Sequence, residues 1–137
     1  MRYAIISLLC LAALVPTSFA QAQKEKAAEQ VSEQWLALID AGDYAKSWQE
    51  AAIVFRSSVS EQQWTQMLKS VRSPLGRVVS RKLASAHYTT QLPGVPDGDY
   101  VVVQFNTSFE HKKSAVETVT PMLDKDGKWR VSGYYIK

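Results

Sequence analysis

The residues best suited to acid–base chemistry are carboxylates and tyrosines in the C-terminal half of the chain. A carboxylate could act as a base, and a nearby tyrosine could donate a hydrogen bond to a developing oxyanion. The candidates are, in chain order, Asp99, Tyr100, Glu110, Glu117, Tyr134 and Tyr135. No spacing singles out one carboxylate–tyrosine pair, so the sequence identifies no catalytic residue.

Glu117 and Arg81 are the candidates for a polar site inside the fold, because each shares a predicted strand face with aliphatic residues. An unpaired charge in a core costs on the order of several kcal/mol, so the two would need each other or a ligand. The sequence leaves open whether they form a structural ion pair or orient a small molecule. A two-residue turn at His111-Lys112 would instead place Glu117 opposite Asn106, on the polar face.

The sequence offers few ligands for a metal ion. Its two histidines, His87 and His111, fall near opposite strand ends of the predicted sheet, and neither has a second ligand at a recognised spacing. Asp124-Lys125-Asp126-Gly127 resembles the start of a calcium loop but lacks the third acidic position and the closing Glu. We expect a tight turn there, and no metal or cofactor in the protein.

Large aromatic residues fall on the apolar stripes of the predicted helices, as core residues do. Trp35, Trp48 and Trp64 are of this kind, and they could also line an apolar cavity. We expect packing to be their main role. For a small molecule bound inside the fold, the candidate ligand-binding residues are Trp48, Arg81, Glu117 and Tyr134.

Residues 1–22 have the pattern of a secretory signal peptide. Arg2 precedes an apolar run over residues 3–15, and small residues follow, so cleavage is expected after Ala20 or Ala22. The apolar run is shorter than the roughly 20 residues that a membrane-spanning helix needs. We expect no stable membrane insertion after cleavage, with an uncleaved anchor as the alternative.

Cleavage would leave a cysteine-free chain of low net charge, because the single cysteine, Cys10, lies in the removed segment. The whole chain has 16 Lys plus Arg against 13 Asp plus Glu. Loss of Arg2 leaves 15 against 13, a charge of +2. We therefore interpret the basic stretch from Arg72 to Lys82 as a solvated strand face, and we expect no nucleic acid partner. The predicted location is periplasmic or secreted, in a bacterium.

Three helices are predicted in the first half of the mature chain. Apolar residues recur at helical spacing over residues 27–39, and Gly42 provides a stop. A second helical stripe covers residues 44–55. The third helix opens with a capping box at Ser60 and ends before Pro74.

Four antiparallel strands are predicted after these helices, with a hairpin tip at His111-Lys112-Lys113. Pro121 lies in the third strand and indicates an edge or a bulge. Residues 23–137 are thus expected to form a single α+β domain, with three N-terminal helices packed on a curved four-stranded antiparallel sheet. The predicted strands cover residues 77–88, 100–109, 115–123 and 129–136.

Several strings of the sequence resemble one bacterial family, domain of unknown function 4019. They occur in order from about Val31 to the C-terminus, and the predicted arrangement is similar to the nuclear-transport-factor-2-like, or cystatin-like, cone. The resemblance implies that fold and an exported location, but it assigns no reaction and no site residues. Four of the strings are WLALIDAGDY (35–44), RSPLG (72–76), LPGVPDGDY (92–100) and DGKWRVSGYY (126–135).

The sequence therefore predicts an exported, non-enzymatic module that binds a small ligand or another protein. The expected partner is a small amphipathic molecule inside the cone, or a second protomer that forms a homodimer through the open sheet face. A small hydrolase, isomerase or dehydratase with a carboxylate base and a tyrosine donor is the alternative.

Overall fold

The computed structural model describes residues 17–137, so most of the predicted signal peptide, including Cys10, lies outside the described residues. The described chain is α+β, with helices first and a four-stranded antiparallel sheet after them, as the sequence predicts. No helix in this range is long and apolar enough to cross a membrane. The helices are α1 (Thr17–Asp40), α2 (Tyr44–Gln49), α3 (Ile53–Ser58) and α4 (Glu61–Arg72), and a 3₁₀ turn (Ser73–Leu75) follows α4.

The ends of α1 and α4 are set by local chemistry that the sequence makes visible. The Ser60 hydroxyl accepts a hydrogen bond from the Gln63 backbone N–H, and the Gln63 side chain accepts one from the Ser60 N–H, both at 3.1 Å. This capping box satisfies two N–H groups that otherwise lack partners. Gly42, with a φ of +80°, ends the turn after α1 in a conformation that disfavours other residues.

The second helix, predicted to be continuous over residues 44–55, is two short helices, so this prediction is wrong. Between α2 and α3 the side chains of Ala51 and Ala52 are completely buried. The Ala52 backbone N–H donates to the carbonyl of Val131 in the sheet, at 2.8 Å. The chain leaves its helical path here because this close contact with the sheet replaces the next intrahelical hydrogen bond.

The sheet has the strand order β1-β2-β3-β4, so each strand pairs with its neighbour in sequence. The helices cover one face of it, and α1 contacts all four strands. The core between the two layers includes Trp35 and Trp64 from the helices and Phe105 from the sheet. The strands are β1 (Val78–Thr89), β2 (Tyr100–Phe109), β3 (Lys112–Leu123) and β4 (Trp129–Ile136).

Bulges interrupt the pairing at several points. On β1, Val79 and Ala84 are extra residues without a partner on β2. The pairing of β3 with β4 shifts between Val119 and Pro121. Because β3 is an inner strand, Pro121 marks a bulge and not an edge, which resolves the two alternatives that the sequence left open.

The turn between β2 and β3 lies one residue earlier than predicted, at Glu110 and His111. The Glu110 N–H donates to the carbonyl of Arg77, and the His111 N–H donates to that of Leu75, both at 2.9 Å. These bonds to the chain that enters β1 fix the position of the turn. The predicted hairpin tip at His111-Lys112-Lys113 is therefore wrong, because Lys112 already pairs with Phe109.

Candidate functional site

Glu117 lies on the helix-covered face of the sheet, opposite Phe105, and is 0% exposed. Two residues of β3, Lys113 and Ser114, oppose the single residue Ser108 just after the turn, so β3 has one extra residue there. The earlier turn and this bulge together shift the register by one residue from the pairing of Glu117 with Asn106. Since successive side chains alternate between faces, that single residue moves the carboxylate from the polar face into the core.

Both oxygens of the buried Glu117 carboxylate accept hydrogen bonds from side chains of the other three strands. Oε1 accepts from Arg81 Nε at 2.7 Å and from the Thr107 hydroxyl at 2.6 Å. Oε2 accepts from the Tyr134 hydroxyl. Burial, together with the negative charge of Glu117, raises the pKa of Tyr134, so the phenol stays protonated.

Arg81 joins Glu117 to a second carboxylate, that of Asp40 at the end of α1. Its two terminal nitrogens donate to the two Asp40 oxygens at 2.7 and 3.0 Å. Arg72 Nη2, from the end of α4, donates to the same carboxylate at 2.9 Å. We call these four residues, Asp40, Arg72, Arg81 and Glu117, the charge cluster; its two positive and two negative charges balance.

The hydrogen bonds of the charge cluster favour the ionised forms of Arg81 and Asp40 although burial opposes them. Burial lowers the pKa of Arg81, but the hydrogen bonds to Asp40 and Glu117 outweigh it and raise that pKa overall. Burial likewise raises the pKa of Asp40, and the hydrogen bonds from Arg81 and Arg72 outweigh it and hold that pKa below its usual range. The cluster is therefore a set of charges that stabilise one another.

Arg72 and Asp40 are the members that sequence reasoning missed. Arg72 is only 6% exposed, and Arg81 points into the fold, so the interpretation of the basic stretch as a solvated strand face is wrong for these two residues. Arg77 and Lys82 are exposed, as that interpretation expects. The ends of α1 and α4 meet only in the folded chain, so no local spacing indicates the pairing of Asp40 with Arg72.

Three of the four predicted ligand-binding residues, Arg81, Glu117 and Tyr134, come together in this region, and Trp48 lies apart from them. The Trp48 indole N–H donates to the carbonyl of Val59 at 2.7 Å, which ties the loop after α3 to α2. Trp35 packs edge-on against Tyr134, with ring centroids 5.4 Å apart. The large aromatic residues fill the space between helices and sheet, as the packing interpretation expects.

An open cleft of about 510 Å³ lies beside the charge cluster, where the ends of α1 and α4 meet the start of β1. Nε and Nη1 of Arg72 have no hydrogen-bond acceptor among the described residues. The guanidinium carbon of Arg72 lies 5.0 Å from the centroid of the Phe109 ring. Residues that line this rim cleft include Ile39, Asp40, Tyr44, Arg72, Arg77, Val78 and Glu110.

Asp99, another candidate base, belongs to a separate contact between α1 and the sheet. Its Oδ1 accepts from Lys24 Nζ at 3.0 Å and from the Tyr88 hydroxyl at 2.5 Å. These two hydrogen bonds, the Tyr88 bond first, lower the pKa of Asp99. Glu25 also accepts from the Tyr88 backbone N–H, at 3.1 Å. The group fastens the start of α1 to β1.

The remaining candidates occupy structural positions. Glu110 accepts from the Arg77 backbone N–H at 2.7 Å, and Tyr100 donates to the carbonyl of Pro96 at 2.7 Å. Tyr135 is half exposed, on the sheet face away from the helices.

The segment Asp124–Gly127 forms the tight turn that the sequence predicts, and Arg130 forms ion pairs with Asp124 and Asp126. Within residues 17–137, no three His, Cys, Asp or Glu side chains lie close enough together to hold a metal ion. His87 and His111 are both exposed.

The comparisons with known proteins concern the family and leave the reaction open. No curated protein matches the chain. The model of one family, described as "Protein of unknown function (DUF4019)", matches residues 17–134. That range includes every element from α1 to β4 except the last two residues of β4. The chain therefore belongs to the DUF4019 family.

Proposed function

We propose that this chain is a non-enzymatic binding domain whose rim cleft accepts a small amphipathic molecule with a carboxylate group. The observation that carries the proposal is Arg72, a guanidinium at the cleft wall with two nitrogens whose N–H groups lack acceptors within residues 17–137. A buried polar group without a partner costs about 1–3 kcal/mol. A ligand oxygen that supplied the missing acceptor would recover part of this free energy.

Arg77 and the apolar residues of the rim cleft favour an organic carboxylate over a free inorganic anion. Arg77 is exposed and forms no ion pair within the described residues, so its planar guanidinium is available to a carboxylate. Ile39, Tyr44 and Val78 provide apolar surface for the rest of the molecule. A ligand would meet Arg77 first and then reach Arg72, if the Arg72 side chain turns away from the Phe109 ring.

The hydrogen bonds of Glu117 support binding over catalysis. A general base needs a free lone pair within reach of its substrate. Both Glu117 oxygens already accept hydrogen bonds, and neither Glu117 nor Tyr134 lines the rim cleft. Glu117 is also 0% exposed, so a substrate would have to open this arrangement before it could reach the carboxylate.

The test is a titration with octanoate, which combines a carboxylate with an apolar tail, and with octanol as its uncharged counterpart. We expect saturable octanoate binding, which can be measured from the NMR shifts of the Ser73 and Gly76 amides in the cleft. Arg77→Gln should weaken octanoate binding about tenfold, because one charge-assisted contact is lost. Arg56→Gln is the matched control, since it also removes one arginine charge and Arg56 lies outside the cleft.

Equal binding of octanol, an unchanged affinity in Arg77→Gln, or shifts that spread over the whole sheet would each contradict the proposal. Comparable losses in Arg77→Gln and Arg56→Gln would also contradict it, because the effect would then reflect overall charge.

We also propose that the domain is exported, after cleavage behind Ala20 or Ala22. The support is the pattern of residues 1–22. α1 runs through both positions, and Lys24, with its bonds to Asp99 and Tyr88, lies after them. The test is fractionation of bacterial cells that express the chain, with the mass of the recovered protein. A mass that still includes residues 1–20, or recovery only from the cytoplasm, would contradict export.

A further inference from the structure

A second concave surface, of about 370 Å³, lies on the open face of the sheet, away from the helices. Ser80 pairs with Ser108 and Lys82 with Asn106, and these pairs alternate with Arg81 and Thr107, which point toward Glu117. The pairs therefore face the opposite side of the sheet. We call this surface the lysine groove and define it by Ser80, Lys82, Asn106, Lys113, Ser114 and Lys137.

The bulge after the β2–β3 turn enlarges this groove and adds a charge to it. Lys113 and Ser114 both oppose Ser108, so two consecutive residues of β3 occupy the space of one. Both line the groove. Lys137 reaches it from the far side, because its backbone exchanges hydrogen bonds with Val116 at 2.9 and 3.0 Å. The groove thus draws side chains from β1, β2 and β3 and from the residue that follows β4.

The side-chain charge of the groove is entirely positive. Lys82, Lys113 and Lys137 are exposed, and within residues 17–137 none of them forms an ion pair. No acidic side chain lines the groove. Two arginines of the sheet, Arg81 and Arg130, are by contrast paired with carboxylates. The three lysine charges are therefore not neutralised by nearby carboxylates, and the lysine groove can attract an anion.

The types of donor in the groove favour phosphate over carboxylate. Guanidinium groups match a carboxylate in a planar, paired geometry, whereas ammonium groups act as point charges and suit phosphate. The groove combines ammonium groups with hydroxyl and amide donors from Ser80, Ser114 and Asn106. Its small concave shape fits a soluble compound better than a flat membrane. We propose that the lysine groove binds a soluble, multiply charged phosphate compound.

The same charges count against a face-to-face homodimer through this end of the sheet. A twofold contact would bring the lysines of one protomer against those of its partner, and like charges at short range repel. A bound anion would neutralise the lysines and remove this repulsion. The test must therefore distinguish anion binding from self-association.

The test uses tripolyphosphate as the probe, measured by calorimetry at low and high salt with the complete protein. We expect 1:1 binding that weakens with salt, and a loss of about tenfold or more in the double variant Lys82→Gln/Lys113→Gln. The control is Lys46→Gln/Lys69→Gln, which removes two exposed lysines from α2 and α4 on the helix side. Arg77→Gln should leave tripolyphosphate binding unchanged, which separates this site from the rim cleft.

Several results would overturn the proposal. These are no binding of tripolyphosphate, an equal loss in the control variant, or dimer formation that accounts for the heat. Sedimentation of the protein with vesicles of anionic phospholipid, without affinity for tripolyphosphate, would also overturn it, since the partner would then be a membrane. Substitution of Lys82 and Lys113 is expected to preserve the fold, because both side chains are exposed.

Discussion

At the scale of single residues, the buried carboxylate of Glu117 is stabilised by the hydrogen-bond donors around it. A carboxylate in a core is costly to desolvate, and here three side chains compensate by hydrogen bonding to it. Arg81 in turn depends on Asp40 for its remaining donors. Removing one partner therefore leaves the others buried and unsatisfied, which costs more than the lost contact itself.

Glu117→Gln should lower the free energy of unfolding by about 3 kcal/mol, because Arg81 then keeps a buried charge with one carboxylate fewer. For a domain of this size the melting temperature should fall by roughly 10 °C. The measurement is a thermal melt at pH 7, with Glu33→Gln on the exposed side of α1 as the control. Equal melting temperatures for the two variants would refute the structural ion pair.

Tyr134 should set the alkaline limit of stability. Its pKa in the folded protein is raised above the ordinary value of 10.0 by burial and by Glu117. Because the pKa is higher in the folded state, Tyr134 contributes fully to the free energy of unfolding below about pH 10. This contribution is lost as the pH rises above that value. Urea unfolding from pH 8 to 11 should therefore show a falling free energy in the natural chain and a flatter profile in Tyr134→Phe.

At pH 7, Tyr134→Phe should cost about 2 kcal/mol, the usual value for a hydrogen bond to a charged group. Tyr135→Phe is the matched control, because the neighbouring tyrosine is half exposed on the opposite face. If Tyr135→Phe flattened the alkaline profile as much as Tyr134→Phe, the assignment to Tyr134 would be wrong.

At the scale of the elements, the sequence predicted strands well and their register poorly. β2 and β4 have the predicted bounds because polar and apolar residues alternate through them and turns bracket them. The face that Glu117 occupies depends on a turn shifted by one residue and on the bulge after it. The turn is fixed by contacts with Leu75 and Arg77, more than 30 residues earlier in the chain, which no local pattern reveals.

The helices show the same division between local and tertiary causes. The capping box at Ser60 is local chemistry, so the start of α4 was predictable. The break between α2 and α3 arises from the contact of Ala52 with Val131, and a helical stripe in the sequence gives no sign of it. Likewise, the sequence indicates Arg81, Glu117 and Tyr134 as site candidates, but Asp40 and Arg72 join them only through tertiary packing.

Ala52→Leu should destabilise the fold by about 1–3 kcal/mol, because the larger side chain has no room where the chain meets the sheet. Ala37→Leu, at an exposed position of α1, should change the free energy of unfolding by less than about 0.5 kcal/mol. Chemical denaturation of the two variants tests this. Similar values for both would mean that the α2–α3 break tolerates bulk and is not a tight contact.

At the scale of the whole molecule, the charge cluster and Tyr134 connect the two layers of the fold. Asp40 and Arg72 come from helix ends, whereas Arg81, Glu117 and Tyr134 come from three different strands. Helix packing and sheet pairing therefore depend on the same hydrogen bonds. This arrangement favours cooperative unfolding, in which the helical layer does not separate while the sheet persists.

Removal of residues 1–22 should leave the melting temperature unchanged, because the contacts of Lys24 and Glu25 with the sheet remain. Removal of residues 1–27 deletes those contacts. The free energy of unfolding should then fall by about 1 kcal/mol, since the lost ionic and backbone hydrogen bonds are exposed, and the melting temperature by roughly 4 °C. Thermal melts of the two shortened chains decide the matter. A large loss already on removal of residues 1–22 would show that the predicted signal segment belongs to the folded domain.

The bulges on β1 have a consequence for the behaviour of many copies of this molecule together. An edge strand with regular, free N–H and carbonyl groups can recruit another chain and start fibril growth. Val79 and Leu83 are exposed on this edge strand, at 68% and 43%, which adds to that hazard. However, the unpaired Val79 and Ala84 disturb the spacing of the edge groups. Glu25 already occupies the Tyr88 N–H, so β1 is a poor template for cross-β aggregation even in a concentrated solution.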